Sequence, residues 1–402
     1  MTSLIILLIT CFSILLLQIK TSKEISAPIY GYVLLILLYV MLPRFHLQFY
    51  SSVVTVDLLN LNPVISDWII TNVIFINTIL FFILITRLGK RLLTPPAGVC
   101  VPIISYQLFY ILFIPTILLV YFFPWADFAS VRGIGHSFAS YFKLGLLLSF
   151  VSACIRHRYD GSPSRRTIVV MLCLLILVSI IDTARTTLFI AMLGFAYSQK
   201  FTFQDLLRNI FLVLVFVTIF FAVTLIRSNI ELSPKALLWP FFSEAIFGSY
   251  SLFNVASLNL NNVVTPENSL YLIPDLLFQV LPDNVRQLVG YSFSFENIIE
   301  EANSQKLLEG GKLSPLGGYF FLADWFYYFS WLGAFLSPIA IYCYLFFATR
   351  QNSFMSNYLF IFWFIALKSP IISVILLICA VFLFKCFNNV IVAILGGRKY
   401  AW

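Results

Sequence analysis

Charge is scarce in this chain. Asp, Glu, Lys and Arg make up 10% of its 402 residues, where a soluble globular domain carries about 25%. So little charge excludes an ordinary soluble domain. Histidine occurs only three times, and the seven cysteines are scattered, with no CxxC pair and no Cys/His cluster. That argues against a metal site or a disulfide framework. Cys11, Cys173 and Cys379 lie in apolar runs and read as small buried hydrophobes. The chain has no GxxxxGK followed by Ser or Thr, no GxGxxG after a strand, no GxSxG and no HExxH. Nucleotide-driven transport and membrane metalloprotease chemistry are therefore disfavoured. Internal repeats, common in transporter folds, are not evident either.

What fills the chain is apolar: hydrophobic residues make up 61% of it, and the mean hydropathy is +0.96. Several runs approach or exceed the roughly 20 residues that cross a bilayer as helix. The expected fold class is an all-α polytopic membrane protein. Run length and charged breaks place spans at 2–19, 27–43, 64–86, 101–123, 137–155, 167–182, 184–198, 209–226, 319–347, 355–368 and 370–394, eleven in all. The N-terminal run lacks a basic leader and a small-residue cleavage site, so it reads as a first span and not as a signal peptide. The organisation expected is one integral unit: helices 1–8 over 1–226, a long loop over 227–318, and helices 9–11 over 319–402.

The net charge of +8 is explained by topology and calls for no nucleic-acid partner. Basic residues cluster on alternate connections: Lys20 and Lys23; Arg87, Lys90 and Arg91; Arg156, Arg158, Arg165 and Arg166; Lys200 and Arg208; Arg350; Arg398 and Lys399. Connections of this kind face the cytoplasm. That puts the N-terminus and the 227–318 loop outside and the C-terminus inside. The loop holds nine of the seventeen acidic residues. Its apolar stretches and prolines predict short helices lying on or dipping into the outer face of the bundle.

Within this scheme the segment SIIDTARTTLFIAML, residues 179–193, stands out. Charged groups at membrane depth are costly, and are usually paired, wet or functional. Arg165–Arg166 before it and Lys200–Arg208 after it both belong on the cytoplasmic side, which a single span between them does not satisfy. Two short helices meeting at Asp182–Arg185 do. Each arm would reach about 24 Å, short of a core of about 30 Å, so the apex would be recessed below the outer surface. A single long, tilted span is the alternative.

The same topology gathers ionisable groups towards the outer side. Among them Asp182 and Arg185, three residues apart, also suit a structural ion pair on one helix face. Arg227 ends a span, where snorkelling is an ordinary role, as it is for Lys143. Arg286 has Asp283 as a local partner. His136 in RGIGHSF also suits a loop or cap. Asp324 in FFLADWFYYF lies inside an aromatic span and is harder to explain without a function. Arginines converging on a recessed cavity suit a phosphate or pyrophosphate, because guanidinium groups bind it bidentately and keep their charge when desolvated. Nearby carboxylates such as Asp324 or Glu244 would serve as general base for a hydroxyl acceptor.

Three stretches resemble the bacterial O-antigen polymerases of the Wzy class. DTARTTLFIAMLG is similar to the start of a middle span in that family, where small residues precede Arg and Ser or Thr. The long loop precedes the last few spans, as in the family. The third stretch is LEGGKLSPLGGYFFLADWFYYFSWLGAFLSPIAIYCYL, which resembles the family's loop exit. A clean pair of Arg-x10-Gly loop motifs, described in some members, is not found. The resemblance implies a fold related to the GT-C membrane glycosyltransferases, in the bacterial inner membrane with its active face periplasmic. It implies polymerisation of undecaprenyl-pyrophosphate-linked repeat units, with no cofactor and no metal. Working partners would be the bilayer and a flippase and chain-length regulator of the same pathway. On this resemblance Arg185 would hold the pyrophosphate; position in the chain, not the resemblance, adds Arg227 and Arg286, with Asp182 and His136, as further substrate contacts. An O-antigen ligase, another polyprenyl-linked glycosyltransferase, or a flippase of lipid-linked sugars are the alternatives.

Overall fold

The computed structural model describes residues 72–81, 83–84, 106–123, 134–182, 185–199, 266–279, 321–349, 354–363 and 371–394, with isolated positions at 214, 215, 218, 219, 222, 285, 288–290 and 367. The described residues are 94% helical and contain no strand, as the composition predicts. The elements are α1 (Asn72–Phe81), α2 (Tyr106–Phe122), α3 (Ile134–Asp160), α4 (Arg165–Ile181), α5 (Arg185–Ser198), a 3-10 turn (Pro266–Tyr271) leading into α6 (Leu272–Gln279), α7 (Phe321–Phe329), α8 (Trp331–Thr349), α9 (Phe354–Ile361) and α10 (Ile371–Ile394). The predicted spans 2–19 and 27–43 lie outside the described residues. Of 209–226 only isolated helical positions are described.

Two helices, Phe138–Asp160 and Trp331–Ala348, are long and apolar enough to cross a membrane. The outward surface agrees with that character. On α2, Ile111 and Ile114 are 68% and 64% exposed, large apolar side chains that water would not favour. Cys173 and Cys379 likewise sit exposed on helix surfaces and not in the core, while Cys154 is buried. In a uniformly apolar helix, sequence gives no sign of which face turns outward.

Helices α2 to α5 form the best-defined part of the bundle. Leu112 meets Gly145 at a point where an added Cβ would lie 3.2 Å from the leucine. Phe109 packs on Phe150 with ring centroids 6.4 Å apart. As the number falls on α2 it rises on α3, so the two run antiparallel. Helix α3 closes at Gly161, whose N–H donates to His157 O (3.0 Å) and whose φ of 70° is left-handed, the conformation glycine supplies at a helix end. Ser164 then caps α4, its hydroxyl accepting from Thr167 N at 3.3 Å.

The segment 165–198 is a hairpin. Helix α4 ends at Ile181 and α5 begins at Arg185. Gly194 on α5 lies against Phe150 and Cys154 of α3. Further along, Arg158 Nη1 donates to Tyr197 O at 2.8 Å, so α5 runs parallel to α3. Helix α4 runs back between the same two ends. The chain therefore leaves α3 at Asp160, climbs along α4 to Asp182 and descends along α5 to Ser198. A single tilted span would have carried Ser198 away from Arg158. The basic residues Arg156, Arg158, Arg165 and Arg166 collect at one end of this unit, and Asp182 marks the other.

A polar knot fastens the basic end. Asn357 on α9 accepts from the hydroxyls of Tyr197 (2.6 Å) and Tyr159 (3.1 Å), and the Arg158 guanidinium lies 4.3 Å over the Tyr197 ring. Tyr358 of α9 hydrogen-bonds Ser152 of α3. These contacts join α3, α5 and α9. A second long-range bond, from Asn77 Nδ2 to Ser337 Oγ at 2.6 Å, ties α1 to α8.

The predicted span 319–347 is two helices and not one. Ser330, with a φ of 50°, breaks it, and its N–H donates to Phe326 O at 2.8 Å. Helix α8 then turns so tightly on α7 that a Cβ at Gly333 would lie 2.0 Å from Trp325 O. Only glycine fits there. The single-span expectation failed because hydropathy does not register one left-handed residue.

Candidate functional site

The hairpin apex is the first place where ionisable groups meet. Asp182 follows the last residue of α4 and donates its N–H back to Val178 O at 2.9 Å. Its side chain is turned towards α3, where Oδ2 accepts from Lys143 Nζ at 2.5 Å. The pair is enclosed, with side-chain exposures of 17% for Lys143 and 4% for Asp182. Two expectations change here. Lys143 is not an isolated snorkelling lysine but the cation of a cross-helix ion pair. The Asp182–Arg185 pairing on one helix face has no face to act on, because the two residues belong to different helices. A three-residue spacing brings side chains together only where the helix is continuous.

Arg185 is the first residue of α5, with only its backbone described. Thr187, one turn into α5, is buried. Ser179, one turn before Asp182, is fully buried and its hydroxyl has no hydrogen-bond partner. His136 stands in the first turn of α3, again with only its backbone described. Glu244, Arg227 and Arg286 lie outside the described residues.

Asp324 forms a second centre. It sits in the first turn of α7, 2% exposed. Its Oδ2 accepts from the backbone N–H of Ile371 at 2.5 Å. Ile371 opens α10, so Asp324 caps that helix from a distant part of the chain and satisfies one of its orphan donors. A carboxylate is also favoured there by the helix dipole. The other oxygen, Oδ1, is buried without a hydrogen bond. One turn on, the Tyr328 hydroxyl donates to Asp275 Oδ2 at 2.6 Å, and Asp275 is close enough to repel the Asp324 charge. Asn268 Nδ2 donates to Tyr327 O at 3.2 Å. Segment 266–279 of the long loop is thus fastened to α7 by two polar contacts, and both Asp275 and Asp324 are buried.

Sequence reasoning singled out Asp182 and Asp324 but missed their companions. Asp275 was one acid among nine in the loop, and only its place in the apolar stretch SLYLIPDLLFQVLP marked it. Tyr328 was one aromatic among many. Among the described residues no group of three or more His, Cys, Asp or Glu side chains is placed to hold a metal ion. No family model, curated protein or solved structure matches the chain.

Proposed function

We propose that the chain is an integral membrane glycosyltransferase that polymerises O-antigen repeat units carried on undecaprenyl pyrophosphate. In this reading it has about eleven membrane helices of GT-C-like arrangement in the bacterial inner membrane, and works at the periplasmic face. The observation that carries the proposal is the charge balance at the hairpin apex. Asp182 has Lys143 as a cation, and Arg185, which opens α5, brings a second basic residue to the same turn of the chain. Two cations against one carboxylate, at the recessed end of two short helices, suit the anion of a lipid pyrophosphate.

The reaction joins an acceptor hydroxyl to the anomeric carbon of the growing glycan. The new C–O bond forms as the bond to pyrophosphate breaks, the hydroxyl proton passes to a base, and the pyrophosphate lipid departs with the electron pair. Arg185 stabilises the charge that develops on the leaving group. Asp324 and Glu244 are the proposed bases. For Asp324, the support is an Oδ1 that carries no hydrogen bond. Arg227, Arg286 and His136 complete the contacts to phosphate and sugar, and Asp182 contacts the sugar. No cofactor or metal is required, and a flippase and chain-length regulator would be working partners.

The test is a deletion strain complemented with variants and scored by its lipopolysaccharide ladder. Loss of the gene should leave single capped repeat units without a ladder. Loss of the single unit as well would point to a ligase or flippase and refute the polymerase. Arg185→Ala should abolish the ladder at normal protein level, and Arg185→Lys should rescue poorly because the planar fork is lost. A full ladder from Arg185→Ala removes Arg185 from the mechanism.

A further inference from the structure

We infer that Lys143 is a second anion-binding cation of the apex, held on Asp182 until the lipid pyrophosphate arrives; this rests on the reading of the apex as a pyrophosphate site. Four observations converge on the inference. Lys143 belongs to α3, yet its ammonium reaches 2.5 Å from Asp182 Oδ2, across to the end of α4. A lysine drawn this far into a helix packing must be stabilised by a negative charge, and Asp182 supplies it. The N-terminus of α5, a helix of 14 residues, begins three positions later, and its first N–H groups have no acceptor within the helix. Finally, Ser179 lies one turn before Asp182, on the same side of α4. It is fully buried with no hydrogen-bond partner, a donor without an acceptor at a place where an anion would provide one.

Asp182 in this arrangement occupies the position of a resident anion. An ammonium has three N–H donors, so Lys143 can turn towards a phosphate oxygen and keep Asp182 as a neighbour. Ser179 and the first N–H groups of α5 supply the remaining donors. Asp182 then has two effects. It pins Lys143 at the apex when no substrate is bound, and by like-charge repulsion it keeps the site from holding free phosphate too tightly. An ion pair that only glues α3 to α4 would have the opposite property, since neutralising both partners would leave ligand binding untouched.

The experiment is a titration of the full-length protein, purified in detergent, with undecaprenyl pyrophosphate, and with inorganic pyrophosphate as competitor. Asp182→Asn should bind the lipid more tightly than the wild type, by about tenfold at most, because one repelling charge is gone. The double variant Lys143→Met with Asp182→Asn removes both charges of the pair and should melt nearer the wild-type temperature than Lys143→Met does. It should bind about tenfold more weakly than Asp182→Asn, as expected for one lost charge-assisted contact. Equal binding by the double variant and Asp182→Asn overturns the inference. Should the double variant fail to accumulate, Asp182→Asn alone decides, and unchanged or weaker binding overturns it. A wild-type protein that binds no lipid pyrophosphate overturns both this inference and the polymerase reading. Normal binding together with an unaltered ladder in the deletion strain overturns the polymerase reading alone.

Discussion

Asp182 and Asp324 are carboxylates of nearly equal burial, and the protein keeps each of them inside by a different device. At the hairpin apex Asp182 faces a cation, Lys143, supplied by the neighbouring helix. In α7 Asp324 faces a backbone N–H, the first of α10, and Asp275 is close enough to repel its charge. The first arrangement is held by charge, and either partner alone is a liability. The second is held by a cap and shaped by the packing around it. A carboxylate paired with a cation is tuned for exchange with other anions, whereas one that ends a helix is tuned for position. On the proposed function, that difference suits the apex to binding and, at Asp324, makes any chemistry depend on the one oxygen that the cap leaves over.

The comparison can be broken most severely at its scaffold. Gly333→Ala would drive a Cβ into Trp325 O, 2.0 Å away, and force α7 off α8, carrying Asp324 from the start of α10. A loss on the order of 4 kcal/mol is expected, read as failure to accumulate in the membrane while a control such as Cys173→Ala, on an exposed helix surface, still accumulates. Removing only the cation comes next. Lys143→Met strands Asp182 and should cost about 3 kcal/mol, seen as a fall in melting temperature that adding Asp182→Asn reverses. An equal fall in the double variant would mean that the pair is not held by charge.

The smallest stability effect belongs to Asp324, and it is the most informative about function. Asp324→Ala removes the cap and should cost about 1 kcal/mol. Asp324→Asn keeps an acceptor for Ile371 N and should melt close to wild type. If Asp324 is the base, the asparagine variant loses on the order of a hundredfold or more in polymerisation with its stability intact. If it only ends α10, the asparagine variant keeps its ladder.

Much of the hairpin was legible beforehand, because it follows from counting. Arg165–Arg166 and Lys200–Arg208 cannot share a side across one span, so the chain has to turn between them, and Asp182 is where it does. The predicted arms, 167–182 and 184–198, lie within two residues of α4 and α5. Its pairing was not legible. Lys143 is 39 positions from Asp182, and no local rule connects them, while the helix face that Asp182 and Arg185 were expected to share ends at Ile181. The elbow at Ser330 was hidden for a related reason. A window of apolar residues averages over a single φ, and Gly333 reveals its necessity only once Trp325 is seen against it. Asp275 was invisible as a site residue because its partner, Tyr328, lies 53 positions away in a chain rich in tyrosine.

The knot around Asn357 has a mechanical consequence. It clasps α3 and α5 at one end, through Tyr159 and Tyr197, and the pair formed by Lys143 and Asp182 closes the other. From Lys143 to Arg158 the helix is about 22 Å long. The unit is closed at both ends, by a hydrogen-bonded clasp at one and by opposite charges at the other, and between them the helices are packed, with Gly194 of α5 against Phe150 and Cys154 of α3. Parting the charged end therefore means unpacking the helices between as well as breaking the ion pair.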